Sequence, residues 1–164
     1  MSGFDNPVPW VMIVILITIP YIHKKLTDRQ FLSWNDDLSV GIEDIDHDHK
    51  RLINLINNLQ TAVLYPAGES YERQALKDLI DYTVYHFDRE EELMQKYDYP
   101  DFDAHQQTHK NMIEKVNNYV DRYESDSEEA IGELLKFLKI WLIKHIAGTD
   151  QEYSDHIKQK MAAE

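Results

Sequence analysis

The chain has no cysteine among its 164 residues. That absence excludes disulfide scaffolds, iron–sulfur clusters, thiolate zinc sites and cysteine nucleophiles, and it leaves the redox compartment open. Basic residues are scarce: 17 Lys and Arg against 30 Asp and Glu give a formal charge of −13. Nucleic-acid binding needs a basic face, so that class of function is excluded. The surplus acid favours solubility, and part of it can balance bound metal. No stretch reads convincingly as a strand, and no segment repeats at a fixed period. The length suits one domain with a hydrophobic core that needs no staples.

Long apolar runs are missing too, with one exception. From Asn6 to Ile22 there is no charge, and residues 11–17 are an unbroken apolar run. Trp10 and Tyr21 bracket it like interfacial aromatics, and His23, Lys24 and Lys25 follow. A signal peptide would carry basic residues before the run and small ones after it, which this segment does not. The run is short for a span, and Pro20 lies near its end. We read residues 6–22 as a single membrane anchor. An apolar arm packed on the domain, or a partner-binding tail, are the alternatives. For an anchor, the basic flank places the following domain in the cytoplasm, at the inner face of the inner membrane. The chain thus divides into an apolar segment with linker, residues 1–30, and a folded domain, residues 31–164.

What is present is helical periodicity. After an irregular arm, a first stripe carries Leu52, Ile53, Ile56, Leu59 and Val63, with His49 on the same face. YPAGES, residues 65–70, breaks it. A second helix turns Leu76, Leu79, Ile80, Thr83, Phe87, Leu93 and Met94 inward along with His86 and Glu90, and Pro100 stops it. A third carries His105, His109, Met112, Val116 and Val120 on one face. Ser125-Asp126-Ser127 offers a turn and an N-cap. The fourth buries Ile131, Leu134, Leu135, Leu138, Trp141 and Leu142 and reaches His145. Gly148 then interrupts it before a short amphipathic segment with Asp150 and Tyr153. The fold class is all-α: four helices with short connections form an up-down-up-down four-helix bundle.

Seven residues on these inner faces do not belong in an apolar core: His49, His86, Glu90, His105, His109, His145 and Asp150. In an antiparallel hairpin, residues equally far from the turn lie level. His49 pairs with His86 across the first connection, and His109 with His145 across the third. His86 with His109, and Glu90 with His105, share one midpoint in the second. His86 and Glu90 are four apart, as are His105 and His109, so each pair points from one face. His145 and Asp150 are five apart, and Gly148 permits a bend that returns Asp150 to the site. Five imidazoles and two carboxylates in one buried layer call for a neutralising cation. Such a set suits iron, copper, zinc or nickel, and it is too large for a single tetrahedral ion. His23, His47 and His156 lie off the pattern and read as ordinary solvated residues.

The segments WNDDLSVGIEDIDHDHKRL (34–52), HFDREE (86–91), HQQTH (105–109) and HIAGTDQEY (145–153) resemble the bacterial hemerythrins, from Trp34 to about Tyr153. The resemblance implies a hemerythrin-like bundle with two iron ions per chain that binds O2 reversibly, for storage, transport or delivery. By position, His105, His109 and His145 would hold one iron, and His49 and His86 the other. Glu90, Asp150 and an oxo or hydroxo group would bridge them. O2 would bind at the iron with fewer histidines, in a pocket lined by Leu52, Phe87, Trp141 and Leu142. Asp48 stands where many relatives have Gln or Glu, and as a non-ligand it is expected to matter little. An O2 or redox sensor is the alternative, as is a di-iron oxidase, peroxidase or nitric-oxide-handling protein. No E-x-x-H pair of the ferritin-like oxidases occurs. No acid, base or nucleophile stands apart from the ligands, so a carrier is expected rather than an enzyme. The protein partner is open.

Overall fold

The computed structural model describes residues 6–28, 30–65, 68–125 and 128–163. The chain forms two units, Met1–Phe31 and Leu32–Glu164. In the first, the uncharged segment lies within one helix, α1 (Pro7–Asp28), which continues through Lys24 and Lys25 and has Pro20 inside it. Its large apolar side chains are exposed, from 41 % at Ile15 to 66 % at Leu16, Ile17 and Tyr21. Among the described residues, no helix is long and apolar enough to cross a membrane. The expected single span is corrected on this point: the helix forms, but its uncharged stretch is shorter than the roughly 20 residues a bilayer core requires.

The second unit is the bundle, built from α2 (Glu43–Leu64), α3 (Glu69–Lys96), α4 (Phe102–Glu124) and α5 (Glu128–Lys144). Within the bundle, α2 packs on α3 and α5, and α4 on α3 and α5. The arm before α2 is fastened by one carboxylate. Asp46 accepts from the Ser39 hydroxyl at 2.5 Å, the Val40 amide at 2.8 Å and the Gly41 amide at 3.3 Å. Gly41 has φ 74° there, a left-handed turn that suits a glycine. Three acids in the first turn of α2, Glu43, Asp44 and Asp46, complement its dipole.

α3 ends where the proline signal places it. Asp98 takes φ 51°, and the Tyr99 amide donates to the Met94 carbonyl at 2.9 Å, which closes the helix before Pro100. The N-cap expected at residues 125–127 involves Asp126 and Ser127, which lie outside the described residues.

The end of α5 departs from expectation. Gly148 does not break the helix. His145–Asp150 instead forms a π turn that runs straight into α6 (Gln151–Met161). A π turn bonds i to i+5, so it brings onto one face two residues that an α-helix would splay apart. That is the spacing of His145 and Asp150.

The core has two parts. A large cluster gathers Leu52, Ile56, Leu59, Leu79, Leu134 and Leu138 with their neighbours. A smaller one joins Val40, Ile42, Ile45, Met94, Tyr97, Tyr99, Tyr153 and Ile157. Along the helices His49, Glu90, His105, His109 and Asp150 fall between the two, while His86 and His145 sit beside Phe87 and Ile146 at the edge of the large cluster.

Candidate metal centre

All seven expected ligands are buried; His49, Glu90 and Asp150 have no exposure at all. The two carboxylates sort the imidazoles into two sets. Glu90 Oε1 lies 3.6 Å from the Nε2 atoms of both His49 and His86. Its other oxygen, Oε2, lies 3.3 Å from His109 Nε2 and 3.8 Å from His105 Nε2. Asp150 repeats the division: Oδ2 is 3.3 Å from His49 Nε2, while Oδ1 is 3.0 Å from His145 and 3.7 Å from His105. Within the larger set, His109 Nε2 stands 3.1 Å from the Nε2 atoms of both His105 and His145.

These separations have a chemical meaning. Two donors bound at right angles to one ion, each at about 2.1 Å, lie ~3 Å apart. The larger set is close to that edge length. His49 Nδ1 and Nε2, Glu90 Oε2 and both Asp150 oxygens are buried with no hydrogen-bond partner. Orphaned buried acceptors and imidazole nitrogens are costly, and a cation satisfies them together. The groups Glu90/His105/His109/His145 and His49/His86/Glu90 could each hold a metal ion. The donor set fits.

Burial works against charge here, and the neighbours overcome it. It opposes a protonated His49, yet Asp150 and Glu90 push that imidazole up to about 9. Burial likewise raises Glu90, but the charge of His86 and contacts from His105, His109 and His49 hold it well below the usual carboxylate range. Asp150 is also lowered: His145 and His49 outweigh burial and the repulsion of Glu90.

Around the seven stand residues that the sequence pattern did not single out as site residues. The Tyr153 hydroxyl, fully buried, donates to Glu90 Oε1 at 2.5 Å. Burial and the charges of Glu90 and Asp150 keep its phenol pKa well above normal, so it stays a donor. His109 Nδ1 donates to Glu91 Oε1 at 3.0 Å, and Glu91 is itself held by the Gln106 amide at 2.6 Å. That contact points His109 Nε2 inward.

Asp48 needs correction. It was expected to matter little, yet it is 1 % exposed and accepts from the Tyr82 hydroxyl at 2.7 Å and Arg89 Nη1 at 3.0 Å. Burial would raise its carboxyl, but contacts with His86, Tyr82 and Arg89 hold it far below the ordinary range. His156 is also more than solvated: its Nε2 meets the Tyr97 carbonyl at 2.8 Å. His47 is exposed as expected.

The four apolar residues expected beside the metals share one small internal cavity of about 10 Å³. Leu52, Phe87, Trp141 and Leu142 line it with Thr83 and Met112 among others. Phe87 stacks on His109 with centroids 3.7 Å apart, and Trp141 on His145 at 4.1 Å.

A bundle that buries five histidines and two carboxylates in one layer defines a class: a metal-binding helical protein of histidine–carboxylate type. Its relatives make the class specific. Residues 40–157 match the Hemerythrin HHE cation binding domain. A bacteriohemerythrin of Stenotrophomonas maltophilia is 39 % identical over 131 residues, 77 % of this chain and 82 % of the relative. One from Pseudomonas aeruginosa is 35 % identical over 133 residues, covering 80 % and 84 %. The crystal structure of a wild-type hemerythrin superposes with a TM-score of 0.68 at 25 % identity, over 77 % of this chain and 97 % of that one. The chain belongs to the hemerythrin family.

Proposed function

We propose that this protein binds O2 reversibly at a pair of iron ions, as a carrier or store rather than an enzyme. The observation that carries the reading is the division of the donors. Each carboxylate turns one oxygen toward His49 and the other toward the His105 side. Two ions can therefore share Glu90 and Asp150, with His49 and His86 on one and His105, His109 and His145 on the other. When bound, the iron pair supplies the electrons that O2 takes up on binding and returns on release.

The protein's part is geometry and dryness. Glu91 fixes the tautomer of His109, Tyr153 holds Glu90, and the π turn seats Asp150 opposite His145. Leu52, Phe87, Trp141 and Leu142 wall the cavity with apolar surface, and its roughly 10 Å³ is at the lower limit for one water. Such a wall excludes water and anions that would otherwise replace O2.

The test is metal analysis with an anaerobic-to-aerobic optical titration. Two irons per chain, with a visible band that appears with O2 and fades on its removal, is the expected result. Iron that oxidises without a reversible band would replace the carrier reading with a redox sensor or oxidase. Zinc alone would defeat both.

A second reading concerns location. The apolar side chains of α1 are exposed, with Lys25 in its last turn. We propose that α1 associates with a membrane surface, which would bring O2 binding to that surface. Deleting residues 1–30 should move the protein from the membrane fraction to the soluble one with O2 binding intact. An unchanged distribution would remove this reading alone.

A further inference from the structure

His86 Nδ1 is buried with no hydrogen-bond partner. Its counterpart His109 has one, in Glu91 at 3.0 Å. The nearest anion to His86 Nδ1 is Asp48 Oδ2, at 3.6 Å. Asp48 projects from α2 on a face turned away from that of His49. Its pull on His86 is opposed by groups on α3, because Arg89 Nη1 and the Tyr82 hydroxyl both donate to it. Arg89 is 35 % exposed and also reaches to within 3.7 Å of Asp44. His47, largely solvated, stands 3.7 Å from Asp48. A line of polar contacts therefore runs from the His49/His86 half of the site to solvent.

We propose that Asp48 is a positioning residue for His86, and that Arg89 sets how much of its charge His86 feels. The inference rests on the two-iron reading and adds an asymmetry to it. The His109 side has a carboxylate in full contact. The His86 side has one partly neutralised, and held beyond hydrogen-bond distance. An imidazole whose outer N–H meets an anion is a stronger donor to the metal on its inner nitrogen. The iron at His49 and His86 is thus the more weakly held and the more easily kept ferrous, and a surface arginine controls the setting.

The two control residues give opposite signs. Asp48→Asn removes the charge behind His86. It should raise the midpoint potential of the iron pair and speed loss of one iron(II) to a ferrous chelator by about tenfold. Arg89→Gln leaves the charge and removes its counterweight, so the potential should fall and iron(II) loss should slow. Asp48→Glu should restore much of the Asp48→Asn change. A purely structural role predicts that both variants loosen the site, with faster metal loss in each and no opposed shift in potential. That result, or two unmoved potentials, would overturn the proposal while leaving the two-iron reading intact. Failure of the unaltered protein to take up two irons would overturn both.

Discussion

At the scale of single residues, the site is a set of groups that cannot stand burial alone. Glu90 faces four of the five histidines, so Glu90→Ala removes a shared ligand and leaves its partners facing one another. Metal content should fall below one ion per chain by elemental analysis, and the same is expected of His109→Ala. His49 gives the metal-free protein a pH dependence. Its folded value, about 9, lies above the 6.5 of an ordinary histidine. The stabilisation is complete below pH 6.5 and is lost as the pH rises through 9. Denaturant midpoints of the metal-free form should fall over that window, while those of the loaded form, where a cation replaces the proton, should not. In the cavity wall, Leu142→Ala should cost roughly 2–5 kcal/mol of stability. It should also speed oxidation of the loaded centre in air, followed optically.

The ligands were legible because histidine and glutamate on a leucine-rich stripe are costly to bury unless something neutralises them. Asp48 was missed for a specific reason: it is not a ligand, and a residue next to one in a helix points elsewhere. The pairing rule that joins His49 to His86 also sets Asp48 nearly level with His86 across the first connection, so the signal was present. Tyr153 and Glu91 lay inside the family-like motifs, but a hydrogen bond to a ligand leaves no spacing of its own.

At the scale of elements, helix number, order and connections follow from periodicity and from breakers such as Pro100. The π turn was not legible. A five-residue spacing was visible, but glycine offered the simpler cause, a bend. In the structure, a Cβ placed on Gly148 meets nothing within 4 Å, and its φ is not positive. Gly148→Ala should therefore preserve metal binding and stability. Inserting one alanine after Gly148 is a different matter. It would lengthen the His145–Asp150 spacing to six and rotate Asp150 away from the site by about a third of a turn. Loss of metal in the insertion beside normal loading in Gly148→Ala, measured in parallel, is the expected contrast. Equal loading in both would show that the turn is dispensable.

At the scale of the molecule, the metal layer divides the core into unequal parts. The smaller cluster, from Val40 to Ile157, has few apolar partners and lies beyond the ligands from the main core. A domain so divided does not have one stability but two, and the ions act as the rivet between its sections. Removing them should leave the large section folded while the arm, the start of α2 and α6 open and close by themselves. Amide hydrogen exchange would then show two protection levels in the metal-free protein and a single one after reloading. Metal supply would thereby decide whether one end of this protein is a fixed surface or a fluctuating one, and proteases would read the difference before any oxygen assay did.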